Sequence, residues 1–206
     1  MTTTFRYETP IETVKNVEGK VIFLAGPTVR GNQTHLQPSW RFEAEKIFQD
    51  LNFDGTIIIP EFASPTQSDK SRPDIPLWEN EGLKRADCIL FWVARTRELI
   101  ALTTNFELGY WIAKDRNKVV YGRPDDAYRI SYSDIMWKQH GIETKSDNVE
   151  IFSTLKGTIK AAIFMVELWN VDEDMDYKIK DMDELWGADP DCMHKIDDSA
   201  WSRISL

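Results

Sequence analysis

The stretch "TTNFELGYW", Thr103–Trp111, sets one carboxylate, Glu107, between Phe106 and the Tyr110 and Trp111 pair. Two readings of that acid are open. Thr104-Asn105-Phe106-Glu107 fits Ser/Thr-x-x-Glu, the capping box whose fourth residue reaches back to the backbone at a helix start. The other reading is nucleophilic: a helix N-terminus favours negative charge, and Phe106, Tyr110 and Trp111 would keep water away from the carboxylate. Carboxylates that attack carbon do so chiefly at a sugar C1, through an oxocarbenium-like transition state and a covalent glycosyl intermediate. Such chemistry needs a second acid about 5 Å away to protonate the leaving group, and Glu79 and Glu61 are the candidates. Glu81 shares the first turn of Glu79's helix, where acids are also favoured by the helix dipole alone.

Competing chemistries lack their residues. His35, His140 and His194 are scattered without metal-ligand spacing, and Cys88 and Cys192 form neither a metal pattern nor a disulfide framework. The Gly-x-Ser-x-Gly elbow, the Walker loop and the Gly-x-Gly-x-x-Gly fingerprint do not occur. Hydrolase triads and dinucleotide-dependent oxidoreduction drop out, and neither a metal nor a redox cofactor is expected.

The acids must be held by the elements around them. "KVIFLA", Lys20–Ala25, is a branched and aromatic run bounded by "GPT" and reads as a buried strand. "SWRFEAEKIFQDL" follows, with Ser39 as N-cap and Phe42, Ala44, Ile47, Phe48 and Leu51 roughly on one helical face. "TIIIPEF" gives a second strand that stops at Pro60. After a polar loop, Ala63–Asp74, comes the helix "PLWENEGLKRA" with Pro76 near its first turn. "CILFWV" makes a third strand, Thr104–Ala113 a third helix and "KVVYG" a fourth strand. Beyond "GRPDDA" the period weakens until "TLKGTIKAAIFMV" supplies one more amphipathic helix. The order β-α-β-α-β-α-β implies parallel strands in an open α/β sheet with helices on both faces.

In open sheets of this kind ligands bind beyond the carboxyl ends of the strands, where helix N-termini present free N–H groups. The rule selects Gly26, Pro27 and Thr28 after the first strand, Glu61 after the second, Arg95 ahead of Glu107 after the third, and Gly122 and Arg123 after the fourth. Glu79 lies on the same side. Asp87 precedes the third strand, at the opposite edge, and reads as structural. Trp40 and Trp78 occupy loop-to-helix positions on the crevice side, where an indole either stacks on a flat ligand ring or packs in the core.

A length of 206 residues suits one domain with an appendage. No apolar run approaches the roughly 20 residues of a membrane span, and the N-terminal "MTTTFRYETPIETVKNVEGK" lacks the apolar segment of a secretory signal. A cytoplasmic location is expected. The net charge of −9 is concentrated in Glu167–Leu206, which holds twelve acids and four bases. The chain therefore divides into an α/β domain, 1–166, and an acidic extension, 167–206, that carries Trp169, Trp186 and Trp201. The near-neutral remainder offers no basic patch for nucleic acid.

Taken together, "FLAGPTVRG", "SWRFEAEKIF", "PLWENEGLKRADCILFWVAR", "TTNFELGYW" and "VVYGRP" resemble the nucleoside 2-deoxyribosyltransferase-like family over about Val21–Pro124. The resemblance implies a flavodoxin-like sheet and a ping-pong exchange. In it, an enzyme glutamate takes the deoxyribosyl group of a nucleoside or nucleotide and passes it to an acceptor base. The family nucleophile sits in the segment matching Phe106–Gly109 and carries to Glu107. An acid eight residues before the "AD" position, usually aspartate, carries to Glu79, and the first loop near the sugar or phosphate carries to Gly26, Pro27 and Thr28. One departure concerns the sugar. Relatives hold its hydroxyls with an aspartate-glycine pair before the nucleophile, whereas Leu102, Thr103, Thr104 and Asn105 stand here, so Asn105 and the threonines are expected to take that work. Related monophosphate glycosidases bind the 5′-phosphate with a serine-rich loop, a task open to Thr28, Arg30 and Arg41, although Arg41 would equally serve to anchor its helix to a neighbouring acid. Homo-oligomers whose neighbour completes the pocket are also implied. Two other functions stay open: a glycosidase releasing base to water, and a catalytically silent nucleotide-binding module.

Overall fold

The computed structural model describes residues 1–29, 38–64, 73–144 and 150–168. Arg30, His35 and the extension beyond Leu168, with its three tryptophans, Cys192 and His194, lie outside them, and the expected boundary at 166 falls in the last turn of a helix. Among the described residues five strands form one sheet: β1 Thr3–Phe5, β2 Val21–Ala25, β3 Thr56–Ile58, β4 Cys88–Trp92 and β5 Val119–Gly122. The helices are α1 Ile11–Lys15, α2 Trp40–Asp50, α3 Ile75–Arg85, α4 Leu102–Asp115, α5 Ser131–Thr144 and α6 Leu155–Leu168. The strand order is β1-β3-β2-β4-β5, and every pairing is parallel. This is the flavodoxin-like α/β arrangement.

Strands covered on both faces should be apolar throughout, and β2 and β4 are buried at every residue. Their side chains alternate between two cores, as the strand period requires. Val21, Phe23 and Ala25 with Ile89, Phe91 and Val93 enter the core under α1, α3, α4 and α5, which includes Val14, Trp78, Trp111 and Trp137. Ile22, Leu24, Leu90 and Trp92 enter the other, under α2 and α6, with Phe48 and Ile159.

Four elements depart from the sequence reading, the first being the short helix α1, which precedes every element expected. β1 adds a fifth strand at the sheet edge, paired with β3 from Thr3↔Thr56 to Phe5↔Ile58. It is too short for alternation to show. α5 fills the region of weak period, anchored by the buried Trp137, whose indole donates to the Glu150 carbonyl at 3.0 Å. α4 begins at Leu102, two residues earlier than expected, because Ala101 turns the chain in a left-handed conformation at φ 54° and ψ 58°.

From β2 the chain moves to β3 on one side and then crosses to β4 on the other, so the loops leaving β2 and β4 diverge. That divergence opens a crevice at the carboxyl edge. Gly26 is where the two exits touch. Its φ is +152°, and a Cβ there would stand 2.3 Å from the Trp92 carbonyl oxygen.

Candidate active site

The first loop, Gly26–Thr28, is shaped from below by Arg41, which is 1% exposed. Ser39 caps α2 by accepting from the Arg41 N–H, and the arginine side chain then runs back under the loop. Nε donates to the Leu24 carbonyl at 3.0 Å, Nη2 to that of Gly26 at 2.9 Å, and Nη1 to the Pro27 carbonyl and the Thr28 hydroxyl, each at 3.2 Å. Nη1 also pairs with Glu61 Oε1 at 2.7 Å, and Ser39 Oγ donates to the same oxygen at 2.8 Å. A buried guanidinium must be paired and hydrogen-bonded, and this one is. Arg41 and Glu61 therefore stand as a clamp joining the exit of β3, the start of α2 and the first loop. Half-buried Trp40 adds to the clamp, its Nε1 donating to the Pro27 carbonyl at 3.0 Å.

On the other face of the sheet, Glu79 lies near the start of α3, and its carboxylate accepts a hydrogen bond from the Tyr7 hydroxyl. Tyr7 follows β1 and is itself buried, its N–H donating to the Glu61 carbonyl at 3.2 Å. Trp78, beside Glu79 in sequence, is fully buried. Its ring meets Tyr7 edge-on at 5.1 Å, and its Nε1 donates to the Thr9 carbonyl at 2.9 Å. Core packing is the role its position supports, since no face of the indole is open to a base. Glu81 turns to Lys84 at 2.9 Å, a hydrogen bond that holds its carboxyl below the ordinary value. Asp87, at the amino edge, accepts from the Val21 N–H at 2.8 Å and from Arg85 at 3.1 Å.

The capping box at Glu107 does not form. With Ala101 as the N-cap residue, Thr104 is already inside the first turn and Glu107 sits in the second, out of reach of the helix start. The expected aromatic screen is also only partial: Trp111 is buried, whereas Phe106 is 82% and Tyr110 56% exposed, on the outer stripe of the helix with Leu102. The direction of Glu107 follows from its neighbour one turn on. The Lys118 ammonium lies 5.4 Å from the Trp111 ring and donates to the Lys84 carbonyl of α3, so this flank of α4 faces α3. Residues four apart share a helix face, so the half-buried Glu107 lies on the same stripe of α4 as Trp111.

Asn105 leaves α4 from the other flank. Its Oδ1 accepts from the Arg95 guanidinium, which also donates to the Arg129 carbonyl at 3.1 Å, just ahead of α5. Burial depresses the Arg95 pKa, since the apolar surroundings penalise its charge. Glu107 and Glu79 thus occupy neighbouring helices at the carboxyl edge, Glu61 and Arg41 build the floor of the first loop, and Asn105 stands apart from both groups. Among the described residues no cluster of three His, Cys, Asp or Glu side chains is placed to hold a metal ion. The sequence reading missed Tyr7, because nothing in "FRYETP" tells that its phenol meets a residue 72 positions away.

The family described as "Nucleoside 2-deoxyribosyltransferase like" matches residues 19–125, which are 107 of the 206. The chain belongs to this family. No curated protein matches it. The part that is nucleoside 2-deoxyribosyltransferase-like runs from just before β2 to just past β5 and holds the first loop, Glu61, Glu79 and Glu107. Tyr7, with β1 and α1, precedes it. Nucleoside chemistry of the deoxyribosyltransferase type is the activity that membership points to. No helix among the described residues is long and apolar enough to cross a membrane.

Proposed function

We propose that the protein cleaves the N-glycosidic bond of a (deoxy)nucleoside or its 5′-monophosphate and transfers the sugar to another base. Glu107 attacks C1′ as the bond to the base breaks, and the electron pair of that bond leaves with the base. Glu79 delivers a proton to the departing base, which leaves neutral. The resulting glycosyl ester on Glu107 is opened by a nitrogen of the acceptor base, whose proton passes back to Glu79 as the C1′–O bond breaks and the Glu107 carboxylate is restored. Gly26, Pro27 and Thr28 line the sugar side, held in shape by Arg41 and Glu61, and the Trp40 indole borders the same loop.

The observation that carries the reading is the placement of Glu107: a half-buried carboxylate in the second turn of α4, the helix that leaves β4 at the carboxyl edge. Incubation with a 2-fluoro-2-deoxy nucleoside tests it. The wild-type mass should rise by the fluorinated sugar on the peptide containing Glu107, and Glu107→Gln should stay unlabelled. Absence of both an adduct and free base across a panel of nucleosides and 5′-monophosphates would leave a binding module instead. Product release into water alone, with acceptor bases present, would make the protein a glycosidase. The homo-oligomer implied by the resemblance belongs to this reading, and the exposed Leu102, Phe106 and Tyr110 are apolar surface that such an assembly would cover. Light scattering measures its mass.

A further inference from the structure

We infer that the segment ahead of the family-matched region is part of the catalytic apparatus, with Tyr7 as a positioning residue that aims the Glu79 carboxyl at the departing base. The inference rests on the proposed role of Glu79 as proton donor. Tyr7 is delivered by β1, which joins the sheet through β3, and its ring is fixed from two sides, edge-on to Phe62 at 5.0 Å and to Trp78 at 5.1 Å. Its N–H is tied to the Glu61 carbonyl. The phenol oxygen is therefore a rigid point in the structure, and it donates to Glu79 Oε1.

A glutamate has three side-chain torsions to fix, and a flexible acid spends much of its time misdirected. Tyr7 removes that freedom and also sorts the two oxygens. A protonated carboxyl has one accepting oxygen and one hydroxyl. With Oε1 taken as acceptor by the phenol, the proton is assigned to Oε2, which carries no hydrogen bond to another described residue. As the C1′–N bond breaks and the C1′–O bond to Glu107 forms, that proton passes to the base nitrogen. Glu79 is left as a carboxylate and Tyr7 keeps its own proton throughout.

The test compares two leaving groups in single turnover: the natural nucleoside that the panel above shows to be cleaved fastest, and 4-nitrophenyl 2-deoxyriboside, whose phenolate departs without a proton. Tyr7→Phe keeps the ring contacts and removes only the hydroxyl. It should slow base release from the nucleoside by about 10- to 100-fold, a share of the roughly 10²–10⁴-fold that a placed proton donor contributes. The nitrophenyl substrate should react within about 3-fold of wild type, because it makes no use of general-acid help. Glu79→Asp leaves the core around Tyr7 untouched and draws the carboxyl one methylene back, so it should show the same selective defect even where Tyr7→Phe lowers stability. Tyr7→Phe combined with Glu79→Gln should be no slower than Glu79→Gln alone, as expected for residues acting as one unit. Equal loss on both substrates, or a Tyr7→Phe enzyme as fast as wild type on the nucleoside while Glu79→Gln is slow, overturns the positioning role and leaves the proposed function standing. A Glu79→Gln enzyme with full nucleoside turnover removes the proton donor itself, and this inference with it.

Discussion

Replacing Arg41 by methionine separates a clamp from a simple counter-ion. The guanidinium joins Glu61 to the Leu24, Gly26 and Pro27 carbonyls and the Thr28 hydroxyl in a site with almost no water access. Removing one partner of a buried ion pair costs about 3–5 kcal/mol, because the other charge is left uncompensated. At 206 residues each kcal/mol lowers the melting temperature by roughly 2–4 °C, so Arg41→Met should melt about 6–20 °C below wild type. The double variant Arg41→Met/Glu61→Leu decides what the arginine is for. If it only neutralised Glu61, removing both charges would be close to neutral. If it also shapes the first loop, the Leu24 and Gly26 carbonyls lose a buried donor at about 1–3 kcal/mol each, whereas Pro27 keeps the Trp40 indole. The double variant should therefore stay about 2 kcal/mol or more below wild type in urea unfolding and bind nucleoside poorly. Recovery to within about 0.5 kcal/mol, with wild-type binding, refutes the clamp.

Other perturbations have equally definite outcomes. Gly26→Ala forces a methyl against the Trp92 carbonyl at a φ that suits glycine, and should cost roughly 2–5 kcal/mol in denaturant unfolding while abolishing base release. The Tyr121 phenol is pushed up by burial, with the charge of Asp134 adding to the effect. The folded chain then retains a proton that the unfolded chain gives up above about pH 10, so stability falls as pH rises past that point by about 1.4 kcal/mol per unit. Urea midpoints between pH 9 and about 11 should show this slope in wild type and a shallower one in Tyr121→Phe. Burial likewise pushes up the Cys88 thiol, so a thiol-labelling reagent should reach Cys88 only on unfolding, as peptide mapping would read.

Strands β2 to β5 are legible because both faces of each are covered, which demands continuous apolar runs such as "VIFLA" and "CILFW". Their order fixes which edge carries the loops, and that rule alone brings Glu107 and the first loop to one side of the sheet. What escapes a sequence reading is decided by contact between distant residues. Arg41 is open to phosphate binding or to anchoring its helix on an acid until Glu61 and four other acceptors surround it, and Trp78 to stacking or core packing until Tyr7 and Thr9 cover it. The start of α4 is hidden for a different reason: Ala101 takes the left-handed conformation without the side chain that usually announces a cap. Asn105 stands two residues before Glu107 in sequence but leaves the helix from another flank, which only the Arg95 bond reveals.

The two borders of the sheet have a consequence for how the protein behaves in concentrated solution. Unpaired strand edges invite a second chain to add its own strand, the route to fibrils. Here one border is β1, three residues long, and the other, β5, is met by Phe152, which donates to the Tyr121 carbonyl at 3.2 Å and accepts from the Arg123 N–H at 2.8 Å. One margin is too brief to template a neighbour and the other is engaged at its end by Phe152, so crowding should rarely seed stacking through this sheet.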